Sequence, residues 1–89
     1  MNRMIQFENA LRDTKRLKAE FPWSTPLQSV IDQLEYLIAI ESGRSLDTSK
    51  LASINIGVIA AREVEDMNIE IANKLYAVSE VVRKMIESN

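Results

Sequence analysis

The chain reads as all-α, a compact antiparallel bundle of four helices. Three observations predict this. Apolar residues recur at helical spacing in four successive segments. Proline or glycine interrupts the pattern at the first two junctions. Strand-like alternation is confined to Ile54-Asn55-Ile56, too short to count. The junctions are short, and short links between helices of similar length make consecutive helices antiparallel neighbours. No composition shift or repeat divides the sequence, so one helical domain over residues 1–89 is expected.

The first helix is expected over residues 2–21, where Met4, Phe7, Leu11, Thr14, Leu17 and Phe21 trace one stripe with Ala10 beside it. Pro22 ends it, because a helix interior cannot accommodate the ring. The second is expected over 26–42, with Thr25 as N-cap, Pro26 at the first helical position and Gln28 in capping-box register. Leu27, Ile31, Leu34 and Ile38 form its inward stripe, and Gly43 can end it in the left-handed conformation.

A third helix is expected over 48–65, capped by Asp47, with Leu51, Ile54, Val58 and Ala61 on one face. Ala52, Ile56 and Ile59 lie well round the cylinder from that face, so this helix is apolar on nearly all sides. Such a helix has either two internal neighbours or an external partner. The fourth is expected over 69–87, capped by Asn68, with Ile71, Leu75, Val78, Val82, Met85 and Ile86 on its stripe.

Composition excludes more than it proposes. The 89 residues contain no cysteine and no histidine, which removes thiolate chemistry, disulfides, the usual proton shuttle and the commonest metal ligand. No cofactor is expected. The serines have no histidine to serve as base, and two glycines cannot build a phosphate loop. The N-terminus lacks the apolar run of a signal peptide and no stretch is long enough to cross a bilayer, so a soluble, cytoplasmic protein is expected, with no membrane role.

Net charge is −2, unevenly spread. Residues 1–20 carry five basic and three acidic side chains, whereas residues 25–70 set Arg44, Lys50 and Arg62 against eight carboxylates. An acidic middle argues against nucleic acid and suits a basic protein partner; self-association is also open. The plainer reading of each carboxylate is a solvated helix face.

One carboxylate arrangement raises an enzymatic alternative. Asp32 and Glu35, and Glu63 and Asp66, are pairs three residues apart, and each pair shares a helix face. Facing pairs could hold Mg²⁺, in an arrangement similar to the ExxE…ExxD pattern of all-α nucleoside-triphosphate pyrophosphohydrolases. Against it, Asp32 and Glu35 lie about 95–155° from the centre of the inward stripe at 100° per residue. No lysine or histidine nearby could handle phosphate or protons.

The run Arg44-Ser45-Leu46-Asp47-x-Ser49-x-Leu51, continued by Ile54, Ile56, Gly57, Ile59, Ala60 and Glu63, resembles a known family. It is similar to the bacterial immunity proteins that neutralise type VI secretion effectors of the NAD(P)+-glycohydrolase kind. The resemblance extends upstream through Gln33-Leu34-x-Tyr36 and the Phe21-Pro22 break, and downstream to Glu70, while residues 74–78 follow the pattern loosely. It implies an all-helical, cofactor-free inhibitor that binds its cognate toxin stoichiometrically and blocks the dinucleotide pocket. A relative guarding against an ADP-ribosyltransferase or a nucleotide pyrophosphokinase toxin would share the same pattern.

The expected binding surface is the acidic end of the third helix, centred on Glu63, Glu65, Asp66 and Glu70. Tyr36, Ile40 and Tyr76 are candidate apolar contacts, because each falls off its own helix's inward stripe. The plainer readings are that the carboxylates favour the start of the fourth helix through its dipole, and that the aromatics close the seams of the bundle.

Overall fold

The computed structural model describes residues 2–88, and among these the chain is helical throughout its regular structure, with no strand. Helix α1 spans Arg3–Glu20, α2 spans Thr25–Glu41 and α4 spans Ile69–Glu87. Between α2 and α4 lies a broken third element. It begins as an extended strap, tightens into a single 3₁₀ turn at Leu51–Ser53, and becomes helical at Ile56–Ile59 (α3). That helix widens at once into a π-turn at Ala60–Val64.

Each start has a local cause. The Asn2 side chain accepts from the amides of Met4 and Ile5 and opens α1. Ser24, rather than the expected Thr25, caps α2: its Oγ accepts the Leu27 amide at 3.2 Å. The cap therefore sits one residue early, and the Gln28 side chain donates to Asp32 instead of closing a capping box. Asn68 caps α4 as expected, accepting the Ile71 amide at 3.0 Å. Gly43, at φ 81°, ends α2 in the left-handed region that a Cβ disfavours.

The expected third helix over 48–65 is corrected by the structure. Asp47 caps no helix, because its Oδ1 turns back to the Ser49 amide at 3.0 Å. Residues 44–55 instead run beside α2, tied by side chains. The Tyr36 hydroxyl donates to the Asp47 carbonyl at 2.8 Å and accepts the Lys50 amide at 3.2 Å. One turn earlier on α2, the Gln33 side chain accepts the Asn55 amide at 2.9 Å and donates to Asn55 Oδ1 at 2.7 Å. The buried positions become Leu51, Ile56, Ala60 and Val64, while Val58 and Ala61 of the expected stripe face solvent.

Phe7, Ala10 and Leu17 of α1 meet Leu27, Val30, Leu34 and Leu37 of α2, and the core is completed by the third element with Ala72, Leu75, Val78, Val82 and Met85 of α4. Each of the larger aliphatic side chains contributes about 1.5–3 kcal/mol by leaving water. Antiparallel order is visible in cross-links at matching ends: Arg3 pairs with Glu41 at 3.0 Å between α1 and α2, and Asp13 pairs with Lys74 between α1 and α4. Gly57 lets α3 approach α4, since a Cβ there would lie 2.7 Å from Ser79 Oγ.

Candidate interaction surface

The acidic end of the third element is built by the π-turn. There the Glu65 amide reaches back five residues to the Ala60 carbonyl at 3.0 Å, and the Met67 and Asn68 amides both bond the Val64 carbonyl. This packs Glu63, Glu65 and Asp66 into two turns of backbone with their side chains exposed. Wide turns of this kind are over-represented at functional sites.

The four carboxylates do not converge. Glu65 accepts the phenolic hydrogen of Tyr76 on α4, and that bond, with lesser help from burial and charge, raises the Tyr76 pKa above its ordinary value. Glu63 borders a groove toward the N-terminus of α2, lined by Thr25, Pro26, Val58 and Arg62. Glu70 faces the other way, into a depression lined by Arg12, Arg16 and Lys74. Asp66 is exposed on the turn between them.

Tyr36 and Ile40 lie elsewhere. Glu63 is next to the α2 residues Thr25 and Pro26, and Tyr36 is ten positions further on, about 15 Å along the helix axis. The Tyr36 hydroxyl is engaged by the strap, and Ile40 is half-buried against the core. Of the sequence-predicted contacts, only Tyr76 is brought against an acidic residue of the predicted site.

The pairs Asp32/Glu35 and Glu63/Asp66 are exposed and are not brought together. Among the described residues no group of three or more acidic side chains is placed to hold a metal ion. No described helix is long and apolar enough to cross a membrane.

One feature escaped the sequence reading, and a second was anticipated only in outline. Asp13 is 6% exposed, held by Lys74 with Arg12 at 3.4 Å and Arg16 at 3.8 Å. The Lys74 hydrogen bond is the main reason its carboxyl is held below the usual carboxylate range, against the opposing effect of burial. The signal was present: residues 10, 13, 14 and 17 have the i, i+3, i+4, i+7 spacing of one face. The second feature is exposed apolar surface. Leu46 is 90% exposed, Trp23 74% and Val58 53%. Trp23 stands edge-on to Phe21 with ring centroids 5.8 Å apart. Leu46 belonged to a stretch expected to be a mere turn, where periodicity says nothing about exposure.

Comparison with known proteins agrees with this architecture. The family model described as Tsi6 matches residues 4–84. The solved structure of Tsi6 from Pseudomonas aeruginosa superposes with a TM-score of 0.85 at 28% identity, covering 92% of this chain and 85% of that one. A search of the curated proteins finds no significant match. The family model and the superposed fold each cover almost the whole sequence: the chain belongs to the Tsi6 family of type VI secretion immunity proteins.

Proposed function

We propose that this protein binds and inhibits a cognate interbacterial effector by occluding a dinucleotide-binding active site of the NAD(P)+-glycohydrolase type. The family match over residues 4–84 carries the reading, and it implies an inhibitor rather than an enzyme. An effector that consumes dinucleotide acts where the dinucleotide pool is, so the inhibitor is placed in the cytoplasm of the producing cell.

The proposed contact is the turn bearing Glu63, Glu65 and Asp66, with Tyr76 beside it and Glu70 at its edge. A pocket that holds a dinucleotide's phosphates is cationic. Exposed carboxylates on a fixed turn can accept charge-assisted hydrogen bonds from such a rim. Complementary charge speeds encounter and disfavours wrong partners, while apolar contacts prolong the complex. Tyr36 and Ile40 would contribute through the shape of α2 and the strap rather than through the acidic turn.

Co-expression tests the function. The effector encoded immediately upstream should intoxicate a host alone and be tolerated with this protein, and its NAD(P)+ hydrolysis should titrate to zero at equimolar inhibitor. An adjacent reading frame that is no toxin, a toxin that leaves NAD(P)+ intact, or Mg²⁺-dependent triphosphate hydrolysis by this protein would each refute the reading. For the surface, Glu63→Lys with Asp66→Lys should leave the melting temperature nearly unchanged and weaken effector binding tenfold or more, about 1.4 kcal/mol. Wild-type affinity in that variant would move the contact elsewhere.

A further inference from the structure

We propose that residues 51–64 are a two-state element: a helix held broken at Ile54–Asn55 by a latch on α2, which joins into one continuous helix when the latch is released. The latch is the pair Gln33 and Tyr36, one turn apart on α2. The inference stands apart from the effector-binding reading above.

The break is confined to two residues. Leu51–Ser53 already form a 3₁₀ turn, with the Ile54 amide bonded to the Leu51 carbonyl at 3.2 Å, and α3 begins at Ile56. Ile54 has φ −64° and ψ 126°. Its φ is thus already helical, and only ψ departs from the helical value of about −42°. Asn55, at φ −130° and ψ 30°, completes the kink. A 3₁₀ turn set against a helix in this way often marks a hinge.

The start of α3 shows what the latch withholds. The first amides of any helix need a cap or a preceding turn, and among the described residues α3 has no side-chain cap. Asn55 occupies the N-cap position, but its Oδ1 accepts from the Gln33 side chain at 2.7 Å and its amide donates to Gln33 Oε1 at 2.9 Å. Tyr36 fixes the upstream arm through the Asp47 carbonyl and the Lys50 amide. Turning Ile54 into the helical region would give the α3 amides the preceding turn they lack. All four latch bonds are exposed. They border an open cleft of about 430 Å³ lined by both latch side chains together with Lys50 and Ile54. Hydrogen bonds that water can replace are individually weak holds.

What opposes the joined form is Leu51. It is buried at 3% exposure, as are Ile56 and Ala60. In a continuous helix Leu51 and Ile56 would stand about 140° apart at 100° per residue. Leu51 would then leave the core, and Ala52 and Ser53, exposed in the broken form, would come round to the face of Ile56. Gly57 inside the longer helix is a further cost. The free protein therefore holds the broken form, and the joined form re-aims the arm 44–50. A partner that grips only one form shifts the balance by its difference in affinity.

Backbone assignment by nuclear magnetic resonance tests this on the isolated protein. In the wild type the Cα shift of Ile54 should lie in the extended range. In Gln33→Ala with Tyr36→Phe, the Cα shifts of Ile54 and Asn55 should move into the helical range. Amide exchange at Ile56, Gly57 and Val58 should slow at least tenfold, and the Leu51 methyl groups should lose their contacts with the core. Each single variant should move the same signals part of the way. Unmoved shifts in the double variant overturn the proposal, because burial of Leu51 then holds the break unaided. Shifts that collapse to random-coil values, with faster exchange, overturn it as well, because the strap then only frays. If the double variant does not fold, the single variants decide by the same criteria: partial helical movement supports the latch, and unmoved or random-coil shifts overturn it.

Discussion

Gly57→Ala measures how closely the third element must approach α4. An added Cβ would lie 2.7 Å from Ser79 Oγ and 3.1 Å from Ser79 Cβ, where carbon atoms prefer about 3.5–4.0 Å. The hydroxyl can rotate away. The Cβ is fixed to α4, so the two helices must separate by a few tenths of an ångström. Overpacking of this kind costs about 1–3 kcal/mol, and the better helix propensity of alanine returns at most about 1 kcal/mol. The expected net loss is about 1 kcal/mol, or roughly 4–8 °C in melting temperature for a domain of this size. Urea denaturation followed by far-ultraviolet circular dichroism would read it. A cycle with Ser79→Gly isolates the clash, because the helix penalty of the new glycine is measured separately in the single variant. The two changes should couple by about 1 kcal/mol in the relieving direction. A Gly57→Ala protein as stable as wild type, or one equally destabilised with Ser79→Gly, would refute the close approach.

Ser24→Ala should lose about 1 kcal/mol of stability as the α2 cap is removed, while Thr25→Ala should change it by less than about 0.5 kcal/mol; urea midpoints in the reverse order would return the cap to Thr25. Asp13 has a folded pKa below its unfolded value, so its stabilisation is complete above the ordinary carboxylate range and disappears as pH falls through the folded pKa. Thermal melts from neutral to acidic pH should show an acid limb that both Asp13→Asn and Lys74→Met flatten, the second because loss of the cation lets burial push the folded pKa back toward the unfolded one; an unchanged limb in both variants would show that the pair does not couple to folding.

Three of the four helices were legible because their signals are local. Asn68 caps with its own side chain, Gly43 stops α2 by its own conformation, and the stripes of α1, α2 and α4 place Phe7, Leu34, Leu75 and Val82 in the core. The α2 start was misplaced by one residue because Ser24 and Thr25 are both competent caps and only packing chooses between them. The third element was misread for a non-local reason. Asp47, Leu51 and Ile54 offer a good helix start, but the Tyr36 hydroxyl and Gln33 amide, on a different helix, claim the backbone of residues 47, 50 and 55. Helix formation is postponed to Ile56, and the π-turn then changes the phase of everything after Ala60. The solvent-facing character of Glu63, Glu65, Asp66 and Glu70 could be read from sequence. Their divergence could not, because it depends on that phase and on how α4 leaves the turn.

The π-turn at Ala60–Val64 also marks where the chain can change length. Its backbone closes over five residues where an ordinary helix closes over four. Loss of one residue between Ala60 and Glu65 would leave a regular helical turn, with every upstream core position intact. The residues after it would keep nearly the same direction, because one closed turn replaces another, and Val64 would stay seated in the core. Deletion of Ala61, Arg62 or Glu63 would thus shorten the turn by one exposed position without disturbing Leu34, Ile56, Val64 or Leu75. The chain can therefore gain or lose one residue at this single position while its interior stays unchanged.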